Sequence, residues 1–554
     1  MQRLFRNLAG LTAAAALLAC SGSDGTAPPA AGASAAAQAP GQIGSSSAQA
    51  TPYAAARLAD QASFGATPTL VAAIGKQGLA AWIDSQLALP PTQVDPEPVR
   101  VYNSQIPKQG NDASIYTNQK LIGTMLSGED QLRLRVTWAM SQFLVVSGAK
   151  VENYATLQYM NLLQRHAFGN YAELIRALSI HPPMGAYLDN VQNRPTSEEC
   201  PWCAPNENYA RELLQLFTLG VTKLNPDGTV QRDAKGRPLE TYTQDDVENV
   251  TLALTGWSFA QETPQYDYGR FAGEMVEDKW SVAHDRNAKK FLGKTIPAGG
   301  SASSDLDALV KILMEHPNIA PFVSLRMIQH LVTSNPSPAY VARMSAVFRD
   351  NGQGVAGDMK ALVRAILLDP EARQGDQQGA SPASFGKLRE PLLWYTGLLR
   401  GVGCKLPLRW GGTRDDGLEN GVAMPSIQQP FFASSVFSFY LPTDRAPGSN
   451  LLAPEQRLLT PEELSARVGG YNTGEAAAWT KAGCKIDDIT RAYSSSPRAL
   501  VDLISARYFR NAMPATMRQS LNDLAPSMPG ANTAQKALNV LHFSLASPEY
   551  GAIR

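Results

Sequence analysis

Helix starts recur along this chain, each with its own capping chemistry, and that recurrence restricts the folded body to an architecture of many helices. Thr67-Pro68 sets a hydroxyl N-cap ahead of a proline at the first helical position. Leu70, Val71 and Ile74 follow at helical spacing, with a glycine-broken continuation through Trp82, Ile83 and Leu87. Ser127-Gly128-Glu129-Asp130 resembles a capping box ahead of Leu132, Val136, Met140, Phe143 and Leu144. Thr243-Gln244-Asp245-Asp246 does the same for Val247, Val250 and Leu254, Ser337-Pro338 opens Val341, Met344, Val347 and Phe348, and Thr460-Pro461-Glu462-Glu463 opens another. The expectation is a mainly α, multi-helix globular body with long loops and at most a small β-hairpin. Asn225-Pro226-Asp227-Gly228 before Thr229-Val230 is the turn for such a hairpin. Gly, Pro and Asp-rich connections are expected near 104–118, 260–301 and 404–430, and no period of 20 to 50 residues marks a solenoid.

The amino terminus argues about compartment. MQRLFRNLAGLTAAAALLAC has basic Arg3 and Arg6, an apolar run from Leu8 to Leu18 and a small residue before Cys20, the pattern of a bacterial lipoprotein signal. Cleavage before Cys20 and its lipidation would hold the chain at a membrane by acyl chains; an ordinary secretory peptide is the alternative. Residues 21–50 are almost all Ala, Gly, Ser, Pro, Gln and Thr, with Asp24 the single charge, and read as a flexible linker. Residues 51–554 then form a single helical domain, long enough to divide into two lobes. The expected location is the bacterial cell envelope. Ser21 after Cys20, rather than aspartate, directs the expectation to the outer membrane, facing the periplasm or the surface.

With 49 basic and 49 acidic side chains the chain has no bulk charge for a nucleic-acid partner. Beyond Cys20 the cysteines are Cys200, Cys203, Cys404 and Cys484, which in an oxidising compartment read as disulfides. Three pairings are open; a local Cys200–Cys203 loop with a long-range Cys404–Cys484 bridge is favoured. Cys200-Pro-Trp-Cys203 also has the spacing of a redox motif, without the strand-then-helix context of a thioredoxin, and a four-cysteine zinc site is a further alternative.

The densest polar segment runs from His181 to Trp257. If Asn206 to Leu219 is one helix, Tyr209, Leu213, Leu216 and Phe217 face a core, Asn208 and Glu212 share one ridge, and Glu207 and Arg211 share another. Glu207, Glu212, Asp189 and His181 are the candidate acid, base or metal-ligand groups, because carboxylates in unlike surroundings can be driven to different pKa values. Asn208, Arg211, Tyr209 and Trp257 are candidate substrate-binding groups, and Lys387 and Arg389 could clamp an anionic group. The plainer readings are a solvated Glu207–Arg211 pair capped by Asn206, a satisfied core histidine at 181, and a helix-start charge cluster at 387–390. A divalent metal would suit the carboxylate set, although HExxH, HxH and calcium-loop spacings do not occur; His284-Asp285 is the best outlying donor pair. GxSxG, P-loop and dinucleotide fingerprints do not occur either.

The segments ARLADQASFGATP (56–68), HPPMGAYLDN (181–190), PNENYARELLQLFTLG (205–220), YTQDDVENVTLALTGW (242–257), HDRNAKKFLG (284–293) and FASSVFSFYLP (432–442), in this order, resemble the bacterial family known as domain of unknown function 1800. The resemblance implies a mostly helical, exported protein, often encoded beside a second exported family similar to sulfatases. It implies no reaction. The expectation for function is therefore an exported hydrolase or transferase acting on a glycan or other surface polymer, with a non-catalytic surface scaffold working with the sulfatase-like protein as the alternative. The Cys200–Cys203 segment is an insertion relative to the family pattern.

Overall fold

Arg57, wholly buried on the Pro52–Ala62 helix, donates from Nε to the carbonyl of Arg554 at 2.8 Å and from Nη1 to Asp376 at 3.0 Å. The start and end of the folded body are thereby tied together. The computed structural model describes residues 49–100, 110–261, 271, 273–406, 426–470 and 476–554. The signal at 1–20, Cys20, and nearly all of the 21–50 linker lie outside the described residues. Ser45–Arg554 makes one compact unit.

The architecture is mainly α. Thr67 caps the Pro68–Gln77 helix through Leu70 N at 3.0 Å, and Gly78, at φ 84°, separates it from Leu79–Leu87. Thr243 and Asp246 form a reciprocal capping box on Gln244–Ala253. Ser337 caps Pro338–Arg349 and Thr460 caps Pro461–Ser465. The Ser127–Asp130 capping box does not form. Ser127 ends the Gly110–Ser127 helix, its hydroxyl donating to Gly123 O at 2.8 Å, while the Asp130 carboxylate is taken by the backbone N–H of Thr92 at 2.8 Å. The next helix, Gln131–Ser141, has Asp130 at its N-cap without a side-chain cap. Of the expected loop at 104–118, residues 104–109 lie outside the described residues, and those from Gly110 onward are helical, because buried Leu121, Ile122, Met125 and Leu126 anchor the later turns and override the loop-like Gly-Asn-Asp start.

Strands are short antiparallel pairs among the described residues: Trp257–Ser258 with Val276–Glu277, Lys289–Phe291 with Lys294–Ile296, and Lys387–Leu388 with Ala552–Ile553. The Asn225–Gly228 turn is present and leads to a Leu224↔Val230 bridge. One apolar core runs through the unit and includes the fully buried Trp138, Trp394 and Trp479. Gly65, at φ 140°, lets two backbones meet: a Cβ there would stand 2.5 Å from Gly397 Cα on the Pro391–Gly401 helix. Among the described residues no helix is long and apolar enough to cross a membrane.

Candidate functional site

The segment expected as one helix over 206–219 divides into an α-turn, Asn208–Glu212, and a π-helical turn, Leu213–Thr218. Thr218 spans the wider turn, donating from its hydroxyl to Leu213 O at 2.5 Å, and the N–H of Leu219 reaches Leu214 O at 3.0 Å. The π turn shifts the downstream register, so Leu213 and Phe217 are buried as expected but Leu216 is half-buried. Such single π turns recur at functional sites. Glu212 sits at the junction.

Upstream, the Pro182–Tyr187 helix ends in a tight loop in which Asp189 and Gln192 both adopt φ 57°. Asp189 is held from two sides: Lys150 Nζ donates to Oδ1 at 2.7 Å and Asn208 Nδ2 to Oδ2 at 2.9 Å. Asn206 accepts from the Asn208 N–H at 2.9 Å in a turn just before the helix, whose N-cap is Glu207 without a side-chain cap, so the expected Asn206 cap does not form. Glu207 pairs with Arg211 at 2.6 Å, and Gln244 bridges the two, donating to Glu207 at 3.0 Å and accepting from Arg211 at 2.6 Å. That pair is a saturated, partly solvated network and leaves Glu207 little spare capacity.

Glu212 differs from its neighbours. Burial pushes its carboxyl up to about 7, against the opposing effect of Arg211, and its Oε2 is buried without a hydrogen-bond partner among the described residues. Two phenols lie within reach of its charge: Tyr187 and Tyr242 are each raised to about 12 by burial first and by Glu212 second. Neither tyrosine is among the sequence candidates, although Tyr187 stands within 181–190 and Tyr242 within 242–257. Asn190, also passed over, is buried with both ends of its side-chain amide unpartnered among the described residues. The signal that could have found it is the Asp189-Asn190 pair next to a helix end, a turn former that has no reason to be buried unless something meets its amide.

The remaining candidates have structural placements. His181 is buried beside the Tyr159 ring at 5.9 Å; burial, with Arg165 and His166, pulls it down to about 3, so it is neutral at pH 7. Tyr209 is buried with its hydroxyl 2.7 Å from Ser179 Oγ, and Trp257 is buried in its short strand. Neither presents a surface to substrate. Lys387 and Arg389 form no anion clamp: Lys387 is enclosed by Glu390 at 3.0 Å and Glu455 at 3.2 Å, and Arg389 lies over the Tyr550 ring and 3.4 Å from Asp60. Burial would raise Glu390, but Lys387 and Arg135 outweigh it and hold it at about 2. The sequence could not place these cations inside, because their partners come from residues 60, 455 and 550.

His284 has both ring nitrogens engaged, Nδ1 with Thr255 O at 2.9 Å and Nε2 with Asp305 at 3.2 Å, while Asp285 accepts from Asn287. Among the described residues no group of three or more His, Cys, Asp or Glu side chains has a metal-holding arrangement. The sulfurs of Cys200 and Cys203 are bonded, as are those of Cys404 and Cys484. A pocket of about 370 Å³ is lined by residues of 89–92 and 124–130, none of them a sequence candidate.

The sequence model of the family described as "Protein of unknown function (DUF1800)" matches residues 57–552, nearly the whole chain. The chain belongs to that family. No curated protein and no solved structure matches it.

Proposed function

We propose that this family member is a lipid-anchored enzyme of the bacterial cell envelope, a hydrolase or transferase of a glycan or other surface polymer, with Glu212 as its proton-handling group. The observation that carries the reading is the Glu212 carboxyl, raised to about 7 with one buried oxygen uncommitted, while Asp189 is held by Lys150 and Asn208. Asn208 stands four residues before Glu212, so the two carboxylates flank one helix ridge. One carboxyl that carries a proton near neutrality and one held by a cation and an amide are what acid–base chemistry on a C–O bond requires. In that chemistry Glu212 gives its proton to the departing oxygen as the bond breaks, and the incoming water or acceptor hydroxyl returns a proton to it as the new bond forms.

Anchoring through lipidated Cys20, with 21–50 as tether, follows from the sequence pattern and places the body at the outer membrane, facing the periplasm or the surface. The second reading, a scaffold for the sulfatase-like exported protein, is favoured by the Glu207–Arg211–Gln244 network, whose groups satisfy one another at the surface.

The test is release of reducing ends from purified cell-envelope polysaccharide by wild type and Glu212→Gln. The expected loss is about 10²- to 10⁴-fold with an unchanged melting temperature. Equal activity in the variant, or none in the wild type together with capture of the sulfatase-like protein, overturns the enzyme reading.

A further inference from the structure

The loop from Asn193 to Asn206 supplies nothing to the acid–base chemistry, yet it is built with unusual care. At its base Asn193 Nδ2 donates to Asn206 O at 2.9 Å, and the Asn206 N–H returns to Asn193 Oδ1 at 2.8 Å. Higher up, Thr196 donates to Cys203 O at 2.6 Å, Ser197 and Cys200 exchange backbone hydrogen bonds, and the Cys200–Cys203 disulfide closes the tip. What this scaffold presents is Trp202, 79% exposed, while Trp82, Trp138, Trp257, Trp394 and Trp479 are buried. An indole buries a large apolar area when covered, so one held outward on a closed loop leaves that area available to a partner.

We propose that Trp202 is a stacking platform for a sugar ring of a neutral glycan whose reacting bond lies at Glu212, and that the disulfide holds the indole in place for it. The inference rests on the glycan-active reading above and names its substrate class. Trp202 is four residues from Asn206, at most ~14 Å along the chain. Asn206 in turn accepts from the N–H of Asn208, the first residue of the helix that ends at Glu212. The flat apolar indole suits the C–H face of a pyranose, and the exposed Asn208 amide can serve a hydroxyl group. Charge decides against an anionic lipid surface or polyanion: exposed Glu198 and Glu199 precede the disulfide, and Glu207 directly follows Asn206 at the loop's base.

The experiment is co-sedimentation of the full chain, carrying Cys20→Ser so that no acyl anchor contributes, with insoluble chitin, insoluble cellulose and phosphatidylglycerol vesicles. One neutral polymer retains the parent chain, Trp202→Ala weakens that retention about tenfold or more, Trp202→Phe keeps most of it, and Glu212→Gln binds like the parent. Undiminished binding by Trp202→Ala, retention by vesicles alone, or retention by neither polymer overturns the proposal. Turnover separates the two readings: if Glu212→Gln stays fully active while Trp202→Ala loses binding, the acid–base reading fails and the platform stands. If Glu212→Gln is inactive and Trp202→Ala binds normally, the platform fails and the acid–base reading stands.

Discussion

Asn208 donates to Asp189 across 2.9 Å, and through that bond the loop after the Pro182–Tyr187 helix is fastened one helical turn from Glu212. Asn208→Ala removes the bond at an exposed position, where the cost to folding is small. Activity on envelope polysaccharide is expected to fall about tenfold with the melting temperature unchanged. An unaltered rate would separate Asp189 from the chemistry.

Glu212 makes stability depend on pH in a defined direction. Its folded value of about 7 lies above the ordinary 4.5, so the native state binds more protons than the unfolded one between these values. The contribution is fully favourable below pH 4.5 and is lost as pH rises through 7. Glu212→Gln should therefore flatten the fall in denaturation midpoint between pH 5 and 8, and a reaction that uses Glu212 as acid should decline above pH 7. Identical midpoint-against-pH curves for the two proteins would contradict this.

His542 has the opposite sign. It is buried edge-on to Trp394 and Trp479, both ring nitrogens lack partners among the described residues, and burial lowers it to about 4. The stability it supports is present above pH 6.5 and is lost as pH falls toward 4. His542→Leu should reduce the loss of stability between pH 7 and 5, measured by urea unfolding at each pH.

Lys387 is the shared partner of two buried carboxylates. Lys387→Met leaves Glu390 and Glu455 facing each other in the interior, and should cost about 3–5 kcal/mol. Lys387→Met combined with Glu390→Gln should recover part of it, because one uncompensated charge is removed. Urea unfolding of the single and double variants measures both.

The Cys404–Cys484 bridge closes a loop of 80 residues. Its loss in Cys484→Ala should cost about 4 kcal/mol by restoring freedom to the unfolded chain, and Cys200→Ser should cost less because that loop spans only 3 residues. Thermal melts of the two variants rank the effects.

Capping chemistry made several of the helices legible, because a cap is a contact between a side chain and a backbone N–H two or three residues away. Thr67, Thr243, Ser337 and Thr460 needed nothing distant to act as they do. Ser127-Gly128-Glu129-Asp130 carried the same signal and failed, since Thr92, 38 residues earlier, took the Asp130 carboxylate. The candidate site divides the same way. The Glu207–Arg211 pair is local and could be read directly, whereas the π turn at Leu213–Thr218 depends on packing across the core.

The sequence by itself determined the mainly helical class, the family, and the segment in which the polar groups gather, because periodicity, caps and motif order are all short-range. Only the tertiary structure decided which ionisable groups are spare. Glu207 and Glu212 lie five residues apart on one helical segment, yet Gln244 and Arg211 satisfy the first while burial leaves the second uncommitted at about 7. Solvent access and partners brought in from elsewhere in the chain set the proton affinity of a carboxyl, and neither is written in the residues beside it.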